Sequence, residues 1–463
     1  MLGACSSQLT TGAKAAGDEP PPYTAGDEPP PYNDRKRVRV MLNVISARGA
    51  LSQAVQTVSR GVSGRSTQPV QNNIYLESQG DALRLVATDL EHISVQAAVP
   101  VQVVGEGAVT APARLLTEVV NSLPDAEVSL AGDASQALAV ACGKSRYTIR
   151  GLSAADFQTF PPLGEGLRVS VPQGQLAEVL RQTVFAASRD ETHPILTGAL
   201  LSFGDGRMEV VATDTFRLAR GKTATAGNHR DTESTENGEA GGTAMARTAI
   251  VSARALMQVL RALAAGNHRD TESTENGEAG GTATARAAIV SARAVRQVLR
   301  ALAAGSEDVV SIAVDDTQIE FGVGHVRIGS RLIEGQYPNL DRVIPKSHDK
   351  CVTLAAEDFG AALKRVLPIA REDVNRVMLR VEGQTLELSA ESQNVGKVSE
   401  EMACQLEGEP VEIAFNCRYL LEALGVLEVE EIHLELSGPL NAGVMRAKGV
   451  EDWLYVQMPM EVM

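Results

Sequence analysis

Val86-Ala87-Thr88-Asp89 and Val211-Ala212-Thr213-Asp214 are the same string, 125 residues apart. The same offset separates Leu51 from Leu176, and each of these opens an apolar helical face: Leu51, Ala54, Val55 and Val58 in one case, Leu176, Val179, Leu180 and Val184 in the other. Spacings of three and four residues put such side chains on one side of an α-helix, and Pro172 stands where a first-turn proline is tolerated. A third face follows at Phe359, Ala362, Leu363, Val366 and Leu367. After each helix comes a hairpin of alternating residues: Ile74 to Asp89 turning at Gly80-Asp81, Ala199 to Asp214 turning at Gly204-Asp205-Gly206, and Val377 to Ser389 turning at Glu382-Gly383. A second helix with an early arginine is visible as PARLLTEVV from Pro112, SARALMQVL from Ser252 and NCRYLLEAL from Asn416. Closing strands end in Phe160-Pro161, Tyr337-Pro338 and Met458-Pro459. A long-period repeat decides a fold before any local detail does. The expectation is α+β, three copies of one module with two helices packed on mostly antiparallel strands, over residues 41–165, 166–346 and 347–463.

Two segments stand outside this pattern. Residues 1–40 carry GDEPPPY twice, at Gly17 to Tyr23 and Gly26 to Tyr32, then the cluster Arg35, Lys36, Arg37 and Arg39. Proline at that density builds no core, so a disordered leader is expected. Gly227 to Ala265 recurs as Gly266 to Ala304 with four differences: Met245 and Thr284, Thr248 and Ala287, Leu256 and Val295, Met257 and Arg296. The second module has one place for the strand and helix that each copy encodes. Met257 suits the apolar edge of that helix better than Arg296, so the first copy is expected in the fold and the second looped outside, an insertion whose closure cost grows only logarithmically.

Composition narrows the function. The chain of 463 residues carries a formal charge of −15, which opposes general adhesion to nucleic acid, so any such role needs local positive charge. Five cysteines, Cys5, Cys142, Cys351, Cys404 and Cys417, are dispersed without a CxxC pair, as in a reduced cytoplasmic protein. No apolar run reaches the roughly 18 residues of a membrane helix, so no membrane partner is expected. MLGAC at Met1 to Cys5 lacks the basic start and apolar stretch of a lipoprotein signal. Gly221-Lys222-Thr223 looks like the end of a phosphate-binding loop, but Phe216 occupies the place of its upstream glycine. Seven scattered histidines give no metal spacing and no nucleophile signature, so no catalytic site, metal or cofactor is expected.

The stretches VATDTFRLA from Val211, LIEGQYPNLDRVIPK from Leu332, FNCRYLLEAL from Phe415 and YVQMPM at Tyr455 to Met460 together resemble the bacterial DNA sliding clamp family, the beta subunits of DNA polymerase III, over roughly Met41 to Met463. The resemblance implies a head-to-tail homodimeric ring with helices facing the hole and strands outside, threaded by double-stranded DNA that is held but not read. Candidate phosphate contacts are Arg60, Arg114, Arg181, Arg189, Arg254, Lys364, Arg365 and Arg418, with Arg65 matching a DNA-contacting arginine of the family. The family also inserts short apolar peptide motifs of the replicative polymerase, the clamp loader and repair polymerases or ligase into a cleft between the second and third domains. By match, its walls here are Leu196, Thr213, Phe216, Arg217, Leu218, Pro338, Arg342, Val343, Asn416, Tyr419, Val456, Met458, Pro459 and Met460. Thr215 and Phe216 replace a common Gly-His pair, and Gln457 replaces an apolar residue. For ring closure the resemblance implies Arg146, Tyr147, Ile149 and Ile369 at the dimer interface, with a buried-core role equally open for Tyr147, Ile149 and Ile369. The bland readings stay open: a charged residue on an amphipathic helix also faces solvent without a ligand, the final strand also closes an ordinary sheet, and three repeats also make a DNA-independent scaffold.

Overall fold

In the computed structural model, residues 42–62, 68–133, 135–227, 286–303 and 309–461 are described. Among the described residues six helices follow in chain order: α1 (Arg48–Ser59), α2 (Ala113–Ser122), α3 (Gln173–Val184), α4 (Ala292–Leu302), α5 (Ala356–Ala370) and α6 (Cys417–Leu424). They pack in pairs, α1 on α2, α3 on α4 and α5 on α6, one pair per module. The apolar stripes dictate this pairing. Leu51, Val55 and Val58, then Leu176, Val179 and Leu180, then Phe359, Leu363 and Val366 are all buried in one core. The three hairpins form as Asn73–Gln79 with Ala82–Thr88, Gly198–Gly204 with Arg207–Thr213, and Arg376–Glu382 with Thr385–Ser392. Their turns use left-handed backbone at Gly80, Asp205, Gly206 and Gly383.

The modules join by strand pairing. In one nine-stranded sheet, Val326–Arg331 of the second module pairs with Ile93–Pro100 of the first, Ile328 standing opposite Val95. In the other, Trp453–Gln457 of the third module pairs with Arg217–Ala224 of the second, Tyr455 opposite Ala219. Side chains brace both joints. Arg293 on α4 reaches Asp89 at 2.6 Å and the Val62 carbonyl at 3.3 Å, and the buried Trp453 indole donates to the Gln182 carbonyl at 3.0 Å. The two ends of the chain carry smaller sheets of five and four strands. One outermost strand of each, Ser145–Arg150 and Gly396–Ala403, has a partner on one side only among the described residues.

The structure corrects the reading of the duplication. The second copy, not the first, supplies the strand Arg286–Ser291, which pairs with Gly198–Gly204, and the helix α4, which packs on α3. The first copy beyond Gly227, and the leader 1–40, lie outside the described residues. Two of the four differences are readily accommodated by this packing. Val295 is fully buried, a site where Leu256 would add a methylene to a filled core. Arg296 is exposed on its helix, so the charge that argued against this copy never enters the core. Arg254 therefore gives way to its counterpart Arg293.

Gly221 has a packing role. It lies in the strand Arg217–Ala224, and a Cβ there would come within 2.8 Å of Val179 Cγ2 and 3.2 Å of Thr183 Cγ2, both on α3. Its absence lets helix and sheet approach closely, which explains a glycine beside Lys222 without any phosphate loop. Gly221→Ala is expected to cost about 1–3 kcal/mol through overpacking. Gly49→Ala, where the added atom meets nothing within 4 Å, is expected to be neutral or stabilising. Urea denaturation of both variants checks this, and equal midpoints would contradict it.

Candidate peptide cleft and cationic face

At the second joint, the end of the chain straddles two modules. Leu218 stands opposite Val456 and Arg217 opposite Gln457. Beyond the paired strand, the Met458 amide donates to the Phe216 carbonyl of the second module at 2.9 Å, and the Met460 amide to the Ala414 carbonyl of the third at 2.8 Å. Strand alternation then sorts the side chains. Val456 and Met458 join Leu218, Val343, Val211 and Leu454 in a buried apolar cluster, against which Tyr337, Leu340 and Ile344 pack. Gln457 points the other way and is 2% exposed. Its amide donates to the Asn416 carbonyl at 3.1 Å and its oxygen accepts from the Tyr455 hydroxyl at 3.1 Å. The polar residue at this position is thus consumed internally and does not line the groove.

Beside the cluster lies a cavity of about 650 Å³ lined by Leu196, Phe216, Arg217, Asn416 and Tyr419, with Ser188, Arg418 and Glu422. Pro338 is buried, Pro459 and Met460 are half-buried, and Arg342 is exposed. A tight turn sets the cavity mouth. Asp214 Oδ1 accepts from the amides of Phe216 and Arg217, both at 3.0 Å, and Thr213 Oγ1 donates to the Arg217 carbonyl at 2.6 Å. Thr215 is forced to φ +78°, an uncommon conformation for a β-branched residue, at the position where the resemblance leads one to expect glycine. Phe216 is left 44% exposed, presenting an aromatic face to the cavity.

Arg217 organises the wall. Its guanidinium donates to Asp214 at 3.0 Å, Glu422 at 2.7 Å and the Phe185 carbonyl at 3.2 Å, and lies 4.1 Å from the Tyr419 ring centroid. With 6% of its side chain exposed, it ties the turn to α6 and has little capacity left for a ligand. The two carboxylates respond differently. Burial pushes Asp214 above the usual carboxylate range despite Arg217. Burial acts the same way on Glu422, but hydrogen bonds from Arg217 and then Arg418 outweigh it and hold the carboxyl low. Sequence reasoning missed Glu422 and Phe185, which lie far from Arg217 in the chain. The repeat of Asp89 and Asp214 was the available signal, since each carboxylate anchors an arginine at a joint.

The cationic candidates divide. Arg60, Arg189 and Lys364 are exposed. Arg114 pairs with Glu118, Arg181 with Glu428, Arg365 with Glu400 and Arg418 with Glu422. Such surface pairs are weak and leave the cations available to a stronger anion. Arg418 faces the cleft cavity. Arg293, which takes the place expected of Arg254, is committed to Asp89, and Arg65 lies outside the described residues. Of the interface candidates, Arg146 and Tyr147 are exposed on the edge strand, whereas Ile149, 2% exposed, packs in the module's own core, the other reading open for it. Ile369 packs partly buried against the core. Among the described residues no group of His, Cys, Asp and Glu could hold a metal ion, and no helix is long and apolar enough to cross a membrane.

Three α+β modules joined edge to edge, with exposed cations on their helices and a part-apolar cleft at the last joint, have the architecture of a sliding clamp. Family models for the DNA polymerase III beta subunit match at residues 42–161 (N-terminal domain), 170–235 (central domain) and 341–461 (C-terminal domain). The beta sliding clamp of Synechocystis sp. is 32% identical over 433 residues, covering 91% of this chain and 100% of its own. That of Synechococcus elongatus is 30% identical over 426 residues, with the same coverage. Among solved structures, the Pseudomonas aeruginosa sliding clamp bound to griselimycin superposes with a TM-score of 0.75 at 26% identity, over 91% of this chain and 100% of that one. The DNA polymerase sliding clamp from Bacillus subtilis gives a TM-score of 0.76 with the same coverage; at 24% identity it speaks for the fold alone. The chain belongs to the beta sliding clamp family, the beta subunits of bacterial DNA polymerase III.

Removing Arg217 would leave Asp214 and Glu422 facing each other without their shared cation. Arg217→Met is expected to destabilise the chain by about 3 kcal/mol, the scale for breaking one side of a buried pair. Glu422→Gln, which keeps a hydrogen-bond acceptor at a more open site, is expected to cost less. Guanidinium denaturation reads both, and a loss under about 1 kcal/mol for Arg217→Met would show that the network does not hold the joint.

Proposed function

We propose that this chain performs the sliding-clamp function of its family by closing with a second copy, head to tail, into a ring around double-stranded DNA. The observation that carries the proposal is the pair of open sheet edges. At both internal joints, the last strand of one module pairs with the strand after the hairpin of the module before it. The counterparts left over are Ser145–Arg150 at the start of the chain and Gly396–Ala403 at its end. Joined between two copies, sheets of five and four strands make a third nine-stranded sheet like the two within the chain. An unsatisfied strand edge invites such pairing.

The first joint also supplies a register. The turns Cys142↔Ser145 and Val323↔Val326 are equivalent, as are the pairs Ala87↔Val95 and Ala390↔Val398. Ile328 opposite Val95 therefore becomes Tyr147 opposite Val398, with Arg146 opposite Ser399 and diagonal to Glu401 on the outer face. An apolar pair toward the helices and opposite charges outside make the two edges complementary.

Inside the ring, exposed arginines and lysines hold phosphates without reading bases, so the duplex is retained by topology and can slide. An acidic chain repels DNA elsewhere. The cleft takes up short apolar peptide motifs of the replicative polymerase, the clamp loader and repair enzymes, with Phe216, Tyr419 and the methionines as adaptable walls; the griselimycin-bound Pseudomonas aeruginosa relative supports ligand uptake by clamps of this family. The protein acts in the cytoplasm as a processivity factor and not as a catalyst. The doubly substituted Arg146→Cys, Ser399→Cys chain is expected to oxidise to a covalent dimer on a denaturing gel, with neither single variant doing so. Once loaded, the covalent ring is expected to stay on closed circular DNA and leave it after linearisation. Absence of cross-linking, or equal retention on linear DNA, would overturn the proposal.

A further inference from the structure

A cavity of about 400 Å³ opens at the second joint and shares no lining residue with the cleft cavity. Register places it on the face turned away from the helices. Gly221 and Trp453 meet α3, so Arg220, Lys222 and Leu454, alternate residues of the same two strands, point the other way. On that face the apolar pair Leu218 and Val456 stands one step from the pair Arg220 and Leu454, and Arg446 lies one step beyond Val444 on the neighbouring strand Gly443–Ala447. The buried apolar cluster beside the cleft therefore runs into the cavity: Leu454 belongs to the cluster, Ile344 packs against it, and both line the cavity. We infer that this cavity receives acidic side chains flanking the apolar motif of a partner peptide, held by Lys222 and Lys346. The inference rests on the peptide-cleft reading and names the class of peptide that the cleft selects.

Charge and reach carry it together. Four cations line the cavity, Arg220, Lys222, Lys346 and Arg446, on a chain whose formal charge is −15. The two arginines are committed, Arg220 to Glu209 and Arg446 to Glu435 at 2.9 Å. His348 also approaches Glu435, at 3.5 Å. The two ammonium groups are not spent. Lys222 lies 3.7 Å from the Glu209 oxygen that Arg220 already occupies, and an ammonium has three donors to offer. Lys346 is exposed and forms no ion pair among the described residues. Of the acids in the wall, Asp452 pairs with Arg207 at 3.2 Å and Glu451 is exposed. One step of two residues along a strand is about 7 Å, which an extended peptide covers in about two residues. A peptide whose terminal apolar side chain enters the cluster at Leu218 and Val456 thus carries the carboxylates just beyond it to the lysines. A nucleic-acid backbone fits less well, because the guanidinium forks that would grip phosphates are taken by Glu209 and Glu435. Its evenly spaced charges would also meet Glu451 and Asp452, which a few separate carboxylates need not approach.

Fluorescence anisotropy of the full chain with matched synthetic peptides tests this. Each carries the same apolar motif, alternating leucine and serine and ending in phenylalanine. One continues into a run of aspartates and its partner into a run of asparagines, and the pair is repeated with the run at the opposite end, since a peptide can enter in either direction. In one direction the aspartate peptide is expected to bind about five-fold more tightly than its asparagine partner at low salt, a preference that added salt screens away. Lys222→Met and Lys346→Met together are expected to erase the preference and leave the affinity for the asparagine peptide unchanged, whereas Lys346→Arg retains it. Equal binding of aspartate and asparagine peptides by the unsubstituted chain, or a preference that survives the double substitution, would overturn the cavity assignment and leave the cleft standing. Binding of no peptide at all would overturn the cleft reading and this inference with it. Loss of the preference on adding a short oligothymidylate, with the asparagine peptide still bound, would make the cavity a nucleic-acid site and overturn the assignment to acidic peptides.

Discussion

Backbone pairing between the edge strands of successive modules is the interaction on which the structure depends. Each module on its own would end in exposed amides and carbonyls. The chain satisfies these by lending the last strand of one module to the sheet of its neighbour, Val326–Arg331 to Ile93–Pro100 and Trp453–Gln457 to Arg217–Ala224. Because hydrogen bonds of this kind are directional, they fix orientation as well as contact, so three modules follow one another with a constant relation. The same rule applied to the two terminal edges is what the proposed ring rests on.

The cleft is a by-product of the second joint. The strand that crosses from the third module continues to Met460, and its last residues are pinned alternately to Phe216 and Ala414. Apolar side chains therefore gather along a seam between modules, the place proposed for a short peptide. Arg217 closes one end of that seam by joining the Asp214 turn to α6. The first joint has its own carboxylate and arginine, Asp89 and Arg293, but the cavity there lacks the aromatic pair Phe216 and Tyr419 that lines the second. Two equivalent joints have thus been given different chemistry on one backbone plan.

The repeat made most of the fold legible. A period of 125 residues and three apolar helix faces sufficed to place the helices and hairpins, because both depend on local spacing. The partners of Arg217 could not be read, since Glu422 lies 205 residues away and the contact exists only once two modules dock. Gln457 illustrates the limit of composition: as a polar residue in an apolar string it suggested a shallower groove, yet strand alternation turns it inward to Asn416 and Tyr455. The duplicated segment was undecidable by spacing, and the apolar preference for Met257 pointed the wrong way. In the packed copy Val295 is buried, and burial at that position is a tertiary property.

Backbone hydrogen exchange of the full chain, followed from concentrated to dilute solution, tests ring closure most directly. The account predicts that the amides of Ser145–Arg150 and Gly396–Ala403 that face away from their own sheets are protected in concentrated solution, much as the strands at the internal joints are, and lose that protection together on dilution. Fast exchange at these two edges under all conditions, with the internal joints protected, would contradict it.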